Sequence, residues 1–162
     1  MGERGIIQQD YAQYREEKTE EAKKFQDFVC EYFSRHLFIP LTQFSSRHYQ
    51  YKTGETMQGV EIKHDMRLAD TGNVYIEIAE KSHPLVANYS DSGIYRNDNT
   101  WIYLIGNYNI MYLFIKKQLR TIHERKIYSY LPNPTPTSKG FLLSRELADK
   151  YCAHKIIIEN DN

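Results

Sequence analysis

Hydrophobic residues recur along the chain with two different periods, and the changes of period divide it into elements. Over residues 11–36, Ala22, Phe25, Phe28, Val29, Tyr32 and Phe33 fall at helical spacing, which predicts a long amphipathic helix. Glu16, Glu17, Glu20, Lys23 and Lys24 decorate it as a solvated face with i,i+4 pairs. Glu21 is in register with Phe25, Phe28 and Tyr32, at the edge of the oily stripe, from which its carboxylate snorkels to water. Pro40 closes this region. Residues 43–51 predict a weakly patterned strand, and Lys52-Thr53-Gly54-Glu55 a turn.

The period then changes to two. Val60, Ile62 and Met66 alternate with Glu61, Lys63 and Asp65; after Asp70-Thr71-Gly72-Asn73, Val74, Ile76 and Ile78 alternate with Tyr75, Glu77 and, further on, Lys81. This predicts two strands paired antiparallel, each with one oily face and one charged face. In that pairing Asp65 and Glu77 come to lie near each other, as an acidic pair suited to a cation. Residues 82–99, rich in Asn, Asp, Ser and Tyr, predict an irregular loop. TWIYLI (100–105) and IMYLFI (110–115), separated by Gly106-Asn107-Tyr108-Asn109, predict a second hairpin buried on both faces. Residues 116–125 turn helical, the prolines of LPNPTPTS mark an exposed loop, Ser144 caps a short helix to about Tyr151, and 155–158 form a last strand. The sum is an α/β domain over 1–162, a central mixed sheet flanked by helices.

Composition narrows the class. The length suits a single domain with its own core, and a 41% hydrophobic and 26% charged composition is that of a globular chain. A formal net charge of zero leaves only a local basic surface for nucleic acid, and the one basic stretch is Lys116, Lys117, Arg120 and Arg125 on the predicted helix. Cys30 and Cys152 are far apart, outside any disulfide framework or zinc knuckle, so a reducing cytoplasm is the expected location. No apolar run reaches the roughly 18 residues of a membrane span, and the start has no secretory signal order. The six histidines show no ligand spacing; His64 falls on the oily face of its strand. Among fourteen tyrosines, Tyr49, Tyr75 and Tyr95 suit base stacking or ordinary core packing.

Asp65 and Glu77 fit magnesium, which takes one or two protein carboxylates and leaves room for water and a substrate phosphate. A neighbouring lysine then positions or deprotonates the attacking water and offsets charge on phosphorus. A half-solvated hairpin with exposed cross-strand charge pairs gives the same pattern without any chemistry.

The words VEIKHD (60–65), TGNVYIEIAEK (71–81) and SGI (92–94) resemble uncharacterised bacterial and phage members of the PD-(D/E)XK nuclease superfamily, the restriction-endonuclease-like and Holliday-junction-resolvase-like fold. The resemblance spans about the middle third of the chain, and TGN-x-x-IE is its most specific part. It implies an endonuclease dependent on magnesium or manganese and acting on DNA, a homodimer being allowed. Asp65 would be the aspartate of the second motif, Glu77 the acidic residue of the third, and Glu21 the helical glutamate that many members carry. The family's lysine follows its acidic residue by two positions, where this chain has Ala79. Lys63 or Lys81 then replaces it, Lys63 starting nearer to the pair. With neither in place, the chain is a degenerate member that binds nucleic acid or a protein partner, or an accessory protein with an acidic pocket.

Overall fold

Helix α1 (Glu3–His36) buries Phe25, Val29 and Phe33 against one face of a four-stranded sheet, where Val60, Ile62, Leu104, Met111 and Ile156 meet them. The computed structural model describes residues 3–159, with side chains from residue 16 onward. The sheet contains β1 (Val60–His64), β4 (Ile102–Gly106), β5 (Ile110–Ile115) and β7 (His154–Ile157) in the order β1-β4-β5-β7. It is mixed, since β1 runs parallel to β4 whereas β4–β5 and β5–β7 are antiparallel. The chain is therefore α/β with a mixed sheet flanked by helices.

The opposite face of that sheet is covered by a second, antiparallel sheet of β3 (Ser90–Asp91), β2 (Asn73–Glu80) and β6 (Ser138–Ser144), together with α4 (Lys116–Glu124) and α5 (Arg145–Tyr151). Tyr103, Ile105, Tyr112 and Phe114 from the first sheet pack there with Val74, Ile76, Phe141 and Leu143 from the second and with Leu119, Ile122 and Ala148 from the helices. Each β4 and β5 face has a core to bury into, which accounts for their unbroken apolar sequences.

The predicted pairing of the two strands in 59–81 does not form. β1 pairs with β4, whose register sets Glu61 opposite Tyr103 and Lys63 opposite Ile105, and β2 pairs with β6 and β3. The connection explains this. It holds a helical turn, α3 (Leu68–Thr71), that buries Leu68 completely and is closed by Gly72 in the left-handed conformation, so it swings the chain out of the first sheet instead of reversing it. The parallel β1–β4 pair then needs the long crossover that β2 and β3 occupy.

Two further expectations change. Over 43–51, only Gln43 makes a lone bridge, to Thr56; the rest becomes helix α2 (Arg47–Lys52), because the Ser46 hydroxyl accepts the Tyr49 N–H at 3.2 Å as an N-cap. Strand β6, for which its sequence raised no expectation, is the main partner of β2. The hairpin β4–β5, helix α4, the Ser144 cap on α5, which accepts the Leu147 N–H at 3.3 Å, and strand β7 lie where the periodicity puts them. Loop 82–99 is interrupted only by β3 and a short 3-10 turn, Gly93–Tyr95. Among the described residues, no helix is long and apolar enough to cross a membrane.

Candidate functional site at the junction of the two sheets

β1 has a neighbour only on its β4 side, and its other edge is finished by side chains from the preceding segment. The Thr56 hydroxyl accepts the Val60 N–H and donates to the Val60 carbonyl, and Glu55 Oε2 accepts the Ile62 N–H at 3.2 Å. On its inner face β1 carries Glu61 and Lys63. Expected on a solvated surface, Glu61 is instead only 4% exposed. Its Oε1 lies 2.8 Å from Lys63 Nζ, and its Oε2 accepts the Tyr103 hydroxyl at 2.9 Å. Met66, assigned to the oily face, is exposed, because the strand ends two residues before it.

Asp65 follows β1 directly. Its Oδ1 accepts the Arg67 N–H at 3.1 Å and its Oδ2 the Tyr75 N–H at 3.0 Å, so its carboxylate ties the end of β1 to the edge of β2 two residues before Glu77. Glu77 is held by two hydroxyls: Ser92 Oγ donates to Oε1 at 2.7 Å and Ser138 Oγ to Oε2 at 3.1 Å. Gly93 supports this, since a Cβ there would meet the Glu77 carbonyl oxygen at 2.1 Å and its φ of 52° is left-handed. Asp65 is thus bonded to the β2 backbone two residues before Glu77, although β1 and β2 belong to different sheets.

Lys63 is a lysine whose charge reaches Glu77. The neighbouring Glu61 carboxylate, working against the cost of burial, holds its ammonium above the ordinary lysine range, and Glu77 and Glu55 add to the effect. Lys81 points elsewhere, its ammonium 4.6 Å from the centre of the Tyr89 ring. Glu21 stands at the rim of the α1 stripe, 42% exposed and 3.5 Å from Lys24, where its charge reaches His64 but on the α1 side of β1. His64 stacks on Phe25 at 4.6 Å, and burial lowers its pKa.

Glu55 and Glu61 are the groups that sequence reasoning passed over. With Lys63, Arg96, Arg47 and Tyr51 they line a cavity of about 370 Å³. Burial, with Glu61 close by, raises the Glu55 carboxyl to about 8, and its Oε1 is buried without a hydrogen-bond partner. Alternation marked Glu61 as polar, but Glu55 sits in a predicted turn and carried no signal.

The basic helix divides between buried and exposed charges. Lys116 is buried, its ammonium 2.8 Å from Asp98 Oδ1 and 2.6 Å from the Arg96 carbonyl oxygen, and Arg120 Nε donates to the Ile94 carbonyl at 2.6 Å. Both therefore fasten α4 to the segment before β4, while half-buried Arg120 still lines a surface cavity with Lys117. Only Lys117 and Arg125 of the four present exposed charges. Among the described residues, no three His, Cys, Asp or Glu side chains converge as a metal-binding group. No protein-family model, curated protein or solved structure matches this chain.

Proposed function

We propose that the chain is a nuclease of the PD-(D/E)XK kind that hydrolyses DNA phosphodiester bonds with magnesium or manganese, using Asp65 and Glu77 as its acidic pair and Lys63 as its lysine. The observation that carries this reading is the Asp65 carboxylate bonded to β2 two residues before Glu77, with the Lys63 ammonium in electrostatic reach of Glu77. The donor set fits the ion. Each of the four carboxylate oxygens accepts one hydrogen bond from the protein, which leaves a lone pair on each, and magnesium asks for only one or two carboxylates. When bound, such an ion supplies Lewis-acid polarisation of the phosphodiester.

The protein's own groups divide the remaining work. Ser92 and Ser138 fix the Glu77 carboxylate, and the two backbone amides fix Asp65, so neither must reorganise when it meets substrate. Lys63 stays protonated, because Glu61 raises its pKa; it therefore offsets charge on phosphoryl oxygens and does not serve as the base. Glu61 aims the ammonium.

A second reading is favoured by two observations: Ala79 occupies the family's lysine position, and both carboxylates accept hydrogen bonds from protein donors. In that reading the chain binds nucleic acid without cleaving it. Calorimetric titration with magnesium and manganese, run beside cleavage assays on single-stranded, duplex and branched DNA, separates the two. The nuclease reading expects metal binding that Asp65→Asn and Glu77→Gln abolish, together with metal-dependent cleavage. Wild-type protein that neither binds the ions nor cuts any of the substrates would leave the binding module as the better description.

A further inference from the structure

Beyond Glu77, β2 runs to Glu80, and Lys81 follows at once, its N–H donating to the Thr137 carbonyl at 2.7 Å. On the neighbouring strand Lys139 lies opposite Ala79. The two ammoniums converge on one ring, at 4.6 Å and 4.3 Å from the centre of Tyr89, so they are less than about 9 Å apart. Among the described residues neither has an ion-pair partner, since every ion pair found joins other groups. Like charges gathered with no carboxylate in ion-pair contact repel, and an anion between them would relieve that repulsion.

The arrangement is built, not incidental. The Tyr89 hydroxyl donates to the Thr135 carbonyl at 2.5 Å, and Thr135 Oγ1 accepts the Ser138 N–H at 2.9 Å, so ring, proline-rich loop and strand β6 are tied together. All three side chains are half-buried. The cluster also shares its strands with Glu77: Ser138, the residue before Lys139 on β6, donates to the Glu77 carboxylate.

We propose that Lys81, Lys139 and Tyr89 form a cradle for the phosphodiester backbone of a nucleic-acid strand, at the end of β2 beyond Glu77. Lysines act there as point charges toward phosphate, and the one ring holds both ammoniums at cation–π distance. Lys81 thus binds and does not take part in the chemistry. The proposal rests on the nuclease reading for the choice of nucleic acid over other anions, but it does not require cleavage.

The test is fluorescence anisotropy of a labelled oligothymidylate and of a labelled duplex, with EDTA present and salt varied, and with inorganic phosphate as competitor. Each phosphate contact contributes about 0.7 to the slope of log affinity against log salt on a single strand, so Lys81→Gln/Lys139→Gln should flatten it by about 1.4. Lys81→Arg/Lys139→Arg should restore the slope, and Lys150→Gln, an exposed lysine on α5, should leave it unchanged. Circular dichroism of each variant reports folding. An unchanged slope in the double Gln variant, an equal fall in Lys150→Gln, or no binding by the wild type would overturn the cradle. Displacement by millimolar inorganic phosphate would replace the strand with a free anion as its ligand and overturn it likewise. Loss of the nuclease reading shows up separately, as wild-type protein that binds oligonucleotide in EDTA yet never cleaves it with magnesium or manganese.

Discussion

The Asp65 carboxylate accepts the Tyr75 N–H at 3.0 Å, and this bond joins two strands that lie in different sheets. It makes Asp65 a structural tie as well as a candidate ligand, and its removal has two separable effects. Asp65→Ala leaves a half-buried donor unmatched, a loss of about 1–3 kcal/mol. Asp65→Asn keeps an acceptor oxygen and should lose less. Urea denaturation should rank wild type above Asn above Ala, whereas on the nuclease reading cleavage should vanish in both variants; cleavage by the Asp65→Asn variant would remove Asp65 from the proposed chemistry.

The Glu61–Lys63 pair should behave as a unit. Lys63→Met strands a carboxylate that is only 4% exposed and retains one hydroxyl donor, so about 2 kcal/mol of stability should be lost. Glu61→Gln/Lys63→Met should recover most of that loss in thermal melts, and on the nuclease reading it should not cleave. Equal destabilisation by the single and double variants would show that the pair contributes nothing through its charge.

Glu55 sets a pH dependence of defined sign. In the unfolded chain its carboxyl ionises near 4.5, and in the fold near 8. Between those values the folded state keeps a proton that the unfolded state has lost, so stability falls as pH rises through the window and levels off above about 8. Glu55→Gln removes the ionisation while keeping an acceptor for the Ile62 N–H. Its melting temperature should match wild type near pH 5 and exceed it by a few degrees near pH 8, at about 2–4 °C per kcal/mol. Parallel curves for the two proteins would rule out a buried neutral Glu55.

Lys116 and Lys117 are adjacent in sequence and opposite in consequence. Lys116→Met leaves the Asp98 carboxylate, 1% exposed, without its ammonium and should cost about 3–5 kcal/mol. Lys117→Ala touches an exposed position and should change stability by less than about 0.5 kcal/mol. Chemical denaturation of both variants decides the point, and a stable Lys116→Met protein would mean the pair is not buried in solution.

The sequence by itself determined the elements whose side chains bury by a simple period: α1 through Phe25, Val29 and Phe33, the β4–β5 hairpin through two unbroken apolar runs, and α5 through its Ser144 cap. It also marked Glu61, Lys63, Asp65 and Glu77 as one polar set, because alternation is a local property of the strand. Which strands pair is not local. β1 chose β4 across nearly forty intervening residues because Leu68 and Gly72 turned β2 into a second sheet, and nothing in the alternation of 60–65 encodes that choice. Tertiary packing likewise decided that Glu61 and Lys116 are buried and paired while Lys117 keeps its exposure, since burial depends on what arrives from elsewhere in the chain. The convergence of Lys81 and Lys139 on Tyr89 belongs to the same class: three residues on three segments, brought to one ring only by the β3-β2-β6 register.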